Sequence, residues 1–188
     1  MFDPDIERAL RASLEAHQGQ TRKGAPDVPY VSHPFHIALM LAQLGLESAV
    51  IQAALLHDVV EDCEGWTGER VAAEFGADVA SLVAALTDPT GETWEVRKQH
   101  GIDGAASMDL RAATIKAADK LHNLSSLVAA IRLAPSPEEA WRPFSRSAAQ
   151  TITMSRRLVD TLAARVDARL GAALSAKMAE LEALSEGA

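Results

Sequence analysis

One apolar row governs what this chain can fold into. Leu110, Ala117, Leu121, Leu124, Val128 and Ile131 recur at α-helical spacing, between a capping Ser107 and a terminating Pro135. The same period returns along most of the chain. Ile6, Leu10 and Leu14 follow Asp3-Pro4, an acidic N-cap with proline in the first turn. Ile37, Met40, Leu41 and Leu44 share a face behind His33-Pro34, and Val79, Leu82, Val83 and Leu86 mark a further helix. No stretch alternates convincingly as a strand, and no internal repeat or linker interrupts the pattern. The fold class expected is all-α.

Glycine, proline and capping residues divide these rows. Residues 18–32 read as a loop, Gly45 as a helix stop, and residues 48–63 as one continuous helix. Thr67 caps a short helix that ends near Gly76. Residues 88–106, with Gly91, Gly101 and Gly104, read as the longest irregular segment. Ser136-Pro137-Glu138-Glu139 reads as a capping box. Beyond Phe144 the pattern is helical nearly to the end, with a break expected at Gly171. Leu158, Leu162, Val166, Leu170 and Leu174 in that segment suit either core packing or a homodimer contact.

Composition narrows the function. A chain of 188 residues suits one domain with an appended helix, large enough to bury a core without metal or disulfide staples. Its net charge of −8 disfavours a general nucleic-acid partner, because phosphate attraction needs a basic surface. No apolar run is long enough for a membrane span, and the acidic start MFDPDIERAL does not read as a secretory signal. The one cysteine, Cys63, forms no internal disulfide, which fits a reducing cytoplasm.

The run LLHDVVED, residues 55–62, places an imidazole and three acids in an apolar helix, where an unpaired carboxylate is costly. His33, at the start of another helix, and Asp119, inside a third, extend the set to two imidazoles and two carboxylates around His57-Asp58. Mixed nitrogen and oxygen donors suit manganese, iron or zinc better than calcium. Glu61 and Asp62 lie one turn beyond the His57-Asp58 pair, placed for a general base or water-positioning role. Arg22 and Lys23, in the first loop, carry charge suited to a polyanion, and a guanidinium there can stack on a base.

The order His33, His57-Asp58, Asp119 resembles the signature of HD-superfamily metal phosphohydrolases. The flanking words HQGQTRK (17–23), PYVSHP (29–34), AALLHDVVED (53–62) and KAADKLHNL (116–124) resemble the hydrolase domain of the RelA/SpoT homologues. The stand-alone length is similar to that of the small alarmone hydrolases and leaves no room for the family's nucleotide pyrophosphokinase domain. The resemblance spans about residues 5–150. It implies a helical bundle of about eight to ten helices, with the hydrolase domain at 1–150 and a helical segment packed on it at 151–188. It implies hydrolysis of (p)ppGpp at the 3′ position, giving GDP or GTP and pyrophosphate, with Mn²⁺. His33, His57, Asp58 and Asp119 match the metal ligands, and Glu61 and Asp62 match the acidic pair needed for hydrolysis. Arg22 and Lys23 match residues beside the nucleotide, and Arg97 and Lys98 a basic pair that meets phosphates. Asn123 and Ser126 match positions near the ribose. Tyr30 reads either as a neighbour of the nucleotide or as a wedge for its loop, and His17 as a loop-fixing residue.

The chain departs from the family at Ser125-Ser126, where many relatives carry an arginine after the HNL word, and at Cys63, in EDCEGWT. These differences leave nucleotide preference open between guanine and adenine alarmones and the 2′-phosphate of NADPH. A non-catalytic alarmone sensor is the alternative from another class, and the intact acidic pair argues against it.

Overall fold

The computed structural model describes residues 2–89 and 91–185. Among them it is mostly helical, in two compact units that meet in sequence at Pro89–Thr90.

The first unit contains α1 (Pro4–Ala16), β1 (Thr21–Arg22), β2 (Ala25–Pro29), α2 (Ser32–Gln43), α3 (Ser48–Leu56), α4 (Val59–Asp62), α5 (Gly68–Phe75) and α6 (Ala77–Leu86). Helix α3 lies at its centre, in contact with α1, α2 and α6. Every residue from Val50 to Leu56 is buried, apolar but for Gln52, whose side-chain amide donates to the Ser48 hydroxyl. Ile37 and Leu41 from α2 complete that core, both with no exposed surface. Asp3 caps α1 by accepting from the amides of Asp5 and Ile6, and Thr67 caps α5 by accepting from Arg70. Gly45, at φ +80°, closes α2 in the left-handed region that favours glycine.

Two features of this unit correct the sequence reading. Residues 18–32 are not wholly loop, because β1 and β2 pair antiparallel with Thr21 opposite Pro29 and Arg22 opposite Ala25. Two prolines in a five-residue strand hide the signal, and an isolated two-stranded ribbon tolerates them at its edges. Residues 48–63 form two helices rather than one. The chain breaks at His57–Asp58, where Asp58 adopts φ −99°, ψ −8°, in the bridge region.

The second unit contains α7 (Trp94–Ala105), α8 (Leu110–Leu133), α9 (Pro137–Trp141), α10 (Ala148–Ala163) and α11 (Ala168–Ser185). Helix α11 packs on α8 and α10, and α10 also packs on α7. Ile115, Leu124, Leu162, Leu174, Met178 and Leu181 form the core. Helix α7 occupies most of the segment read as irregular. Its glycines each cost about 1 kcal/mol in a helix, but Thr93 caps it through Val96 and burial of Ile102 and Ala105 fixes one face. The Arg165 guanidinium donates to the carbonyls of Ala105 and Met108, closing the C-terminal end of α7.

The remaining differences concern helix ends. Asp109, not Ser107, caps α8, and Ser136 makes no side-chain cap hydrogen bond. The capping box instead forms between Ser147 and Gln150 at the start of α10. The break expected at Gly171 falls earlier, at residues 164–167, and Gly171 is buried inside α11. A Cβ there would lie 2.6 Å from the Ala163 carbonyl oxygen, so glycine is required by close approach. Among the described residues no helix is long and apolar enough to cross a membrane.

Candidate metal centre

The break at His57–Asp58 makes the site possible. In a continuous helix adjacent side chains diverge by about 100° around the axis. Across the break they converge: His57 Nε2 lies 3.2 Å from Asp58 Oδ2. His33, on the first turn of α2, brings its Nε2 to 3.8 Å from the same oxygen. One ligand atom from each of His33, His57 and Asp58 lies within 4.8 Å of the others, a group able to hold a metal ion. Both imidazoles are buried, at 1% and 5% exposure, so their orientation is fixed by packing.

The protonation of His57 follows from its partner. Its Nδ1 lies 2.9 Å from the Ala54 carbonyl oxygen, which can only accept, so the proton sits on Nδ1. That leaves Nε2 directed toward Asp58 Oδ2, 3.2 Å away. An imidazole fixed through Nδ1, with Nε2 beside a carboxylate, is an arrangement able to ligate a divalent cation. Two imidazoles and a carboxylate are a donor set that fits a divalent metal ion.

Tyr30, at the end of the ribbon, ties this cluster to the acidic pair. Its hydroxyl donates to Asp58 Oδ2 at 2.5 Å and lies 3.4 Å from Asp62 Oδ2. Burial, then the negative charge of Asp58, pushes the phenol far above its ordinary range, so it remains a donor. Its ring packs against His17 and His33, with centroids 4.8 and 5.8 Å away.

The two acids are in different surroundings. Asp62 is held above the usual carboxylate range by burial and then by the charge of Asp58. Glu61 is raised mainly by burial, and the Asp88 amide partly offsets this by donating to Oε1 at 2.6 Å. One oxygen of Glu61 is thus engaged with the backbone after α6, while Asp62 faces Tyr30 and the ligand cluster. An acid whose proton affinity is raised beside a metal-ligand group is suited to accept a proton from water.

The other residues singled out in the sequence distribute as follows. Arg22 lies on β1 with its guanidinium 5.5 Å from the Tyr30 ring centroid, and Lys23 is exposed at the ribbon turn. Arg97 and Lys98 are half-buried on α7 rather than in a mobile loop. Asp119 is on α8, where the Asn123 side-chain amide donates to its Oδ1 at 2.6 Å. Asn123 thus orients Asp119, and the Ser126 hydroxyl donates to the His122 carbonyl one turn back. The sequence reading left Tyr30 between two roles and did not single out Gln20. Both stand in the quoted words PYVSHP and HQGQTRK, but their contacts span from 28 to 43 positions along the chain.

Comparison with known proteins shows the family. A family model described as HD domain matches residues 9–146. The guanosine-3′,5′-bis(diphosphate) 3′-pyrophosphohydrolase of Vibrio cholerae is 39% identical over 137 residues, covering 68% of this chain and 19% of that protein. The chain thus spans about a fifth of that relative's length. The Xenopus tropicalis protein named guanosine-3′,5′-bis(diphosphate) 3′-pyrophosphohydrolase MESH1 is 38% identical over 124 residues, which are 65% of this chain and 69% of that one. A solved structure of a metazoan SpoT orthologue, described as hydrolysing ppGpp, superposes with a TM-score of 0.81 at 30% identity. It covers 96% of this chain and 97% of the other.

Proposed function

Since this chain belongs to the HD domain family, close to MESH1 and the SpoT hydrolase domains, we propose that it is a (p)ppGpp 3′-pyrophosphohydrolase. The observation that carries the reading is the convergence of His33, His57 and Asp58 beside Asp62, with Tyr30 touching both carboxylates.

His33, His57 and Asp58 would hold the cation, and Asp119 joins them in this proposal by its place in the KAADKLHNL word. Mn²⁺ is the ion proposed. A cation so held supplies Lewis-acid chemistry, polarising a phosphoryl oxygen and making water more acidic. The chain's own residues do the rest. Asp62 orients a water and takes its proton as the water oxygen bonds to the phosphorus attached to O3′. The phosphorus–O3′ bond breaks, O3′ recovers a proton, and the products are pyrophosphate with GDP or GTP. Glu61, anchored on Asp88, keeps the end of α4 in place and adds negative charge that favours the cation. Arg22 and Lys23 are assigned to the nucleotide, Arg97 and Lys98 to its phosphates, and Asn123 and Ser126 to the ribose side. Developing charge on the phosphoryl oxygens is offset by these cations.

In this proposal residues 1–150 carry the hydrolase motifs and 151–188 the helical segment that packs with α8. The protein acts in the cytoplasm on a free nucleotide, with a homodimer as its proposed assembly, while Leu162, Leu170 and Leu174 of the last helices pack within the subunit.

The test is a substrate panel of ppGpp, pppGpp, ppApp and NADPH with Mn²⁺, comparing wild type with Asp62→Ala. Release of pyrophosphate from ppGpp that disappears in Asp62→Ala is the expected result. No turnover of ppGpp, or turnover that survives the substitution, overturns the reading. Turnover of NADPH in preference to ppGpp moves the substrate to a 2′-phosphate.

A further inference from the structure

We propose that Gln20 is a positioning residue for Asp62, and that His17 sets the direction of its amide. The proposal rests on the reading of Asp62 as the proton acceptor, and goes beyond it by assigning the two conspicuous polar residues of the HQGQTRK word.

The geometry is a directed chain of hydrogen bonds within the first unit. His17, 3% exposed at the end of α1, places Nδ1 2.7 Å from Gln20 Oε1. An amide oxygen only accepts, so Nδ1 carries the proton and Oε1 must face His17. That leaves the Gln20 NH₂ to point the other way, where it donates to the Asp62 backbone carbonyl at 2.8 Å. The same NH₂ lies 3.8 Å from Cys63 Sγ, and that sulfur is 3.4 Å from His17 Nδ1.

The Asp62 carbonyl belongs to the last residue of α4, one of the orphan acceptors at a helix end. A four-residue helix has little stability of its own, so an external donor decides where its last residue sits. The ribbon holds that residue twice. Gln20 grips the backbone and Tyr30 lies against the carboxylate, while the Tyr30 amide donates to the Gln20 carbonyl at 2.9 Å. The carboxylate is therefore set from two sides by one short loop.

This arrangement carries its own reporter. Cys63 is the chain's one cysteine and is buried under His17 and Gln20. Its reaction with Ellman's reagent reads whether the clamp is seated, independently of turnover.

The experiment compares Gln20→Ala, His17→Leu and His17→Asn in the full chain. Asparagine keeps an N–H near the position of Nδ1, whereas leucine keeps only bulk. Gln20→Ala and His17→Leu are expected to lower kcat on ppGpp about tenfold or more, with KM and Mn²⁺ affinity close to wild type, since a small misplacement of a reacting group is costly. Both are expected to speed thiol labelling. His17→Asn is expected to restore most of kcat and slow labelling again.

Unchanged kcat with faster labelling overturns the proposal, since Gln20 would then merely cover the sulfur. A fall in kcat matched by loss of Mn²⁺ affinity and of thermal stability also overturns it, as a folding effect. His17→Asn behaving like His17→Leu overturns the directed chain. A wild type that fails to turn over ppGpp instead refutes the functional reading, and the labelling series still decides whether His17 and Gln20 act as one clamp on Asp62–Cys63.

Discussion

The Tyr30 hydroxyl donates to Asp58 at 2.5 Å, from a ribbon that sequence alone reads as loop. That bond orients a carboxylate of the proposed ligand set from outside it. Such partners commonly change metal affinity or activity by about 10–100-fold when removed. Tyr30→Phe is therefore expected to weaken Mn²⁺ binding about tenfold and to lower turnover, with the ring contacts to His17 and His33 retained. Isothermal titration with Mn²⁺ checks it, and unchanged affinity counts against the orienting role.

Adding Mn²⁺ to metal-stripped protein is expected to raise the melting temperature. At a free concentration one hundred times Kd, binding stabilises by about 2.7 kcal/mol. His57→Ala removes both the Nε2 donor and the bond to Ala54, so the shift is expected to vanish. A thermal scan of both proteins with and without Mn²⁺ measures it.

Asp62 gives a pH test in the metal-free protein. Its folded-state carboxyl is raised by burial and by Asp58, so the folded state holds that proton more tightly than the unfolded chain does. The stabilising effect of the bound proton is complete below the unfolded value and is lost as pH rises through the folded one. Asp62→Asn is thus expected to stabilise the metal-free protein at neutral pH, with the gain disappearing near about pH 3. Urea unfolding across that range measures it, and a gain that persists in acid would contradict the assignment. The same variant is expected to lose turnover.

Gly171→Ala forces a methyl group to within 2.6 Å of the Ala163 carbonyl oxygen, a backbone atom with little freedom to move. Overpacking of this kind costs about 1–3 kcal/mol. A lowered urea midpoint is expected, with Mn²⁺ binding by His33, His57 and Asp58 retained.

Much of this molecule was legible in its sequence because helical period and residue type are local signals. Ile37 and Leu41 on α2 were marked by spacing alone, and the capping of α1 by Asp3 and of α5 by Thr67 by residue type. His33, His57 and Asp58 were found by residue type and come together as expected. The ribbon was missed because its pairing is held by register between neighbours rather than by alternation. Helix α7 was missed because its glycines mask a face that Ile102 and Ala105 bury. The break at His57 was missed because the flanking leucines and valines are apolar on both sides of it. The contacts of Gln20 and Tyr30 were out of reach for a different reason, since they depend on which distant turn each amide or hydroxyl meets.

The interruption between α3 and α4 sets a limit on engineering this protein. Substitutions chosen to improve helix propensity through residues 53–62 would favour one unbroken helix, and local stability would rise. Straightening would also turn His57 and Asp58 onto different faces of that helix. Screens for heat resistance carried out without Mn²⁺ should therefore enrich variants that are sturdier and unable to retain the ion. The same screen run in its presence should leave this short segment untouched and find its gains elsewhere.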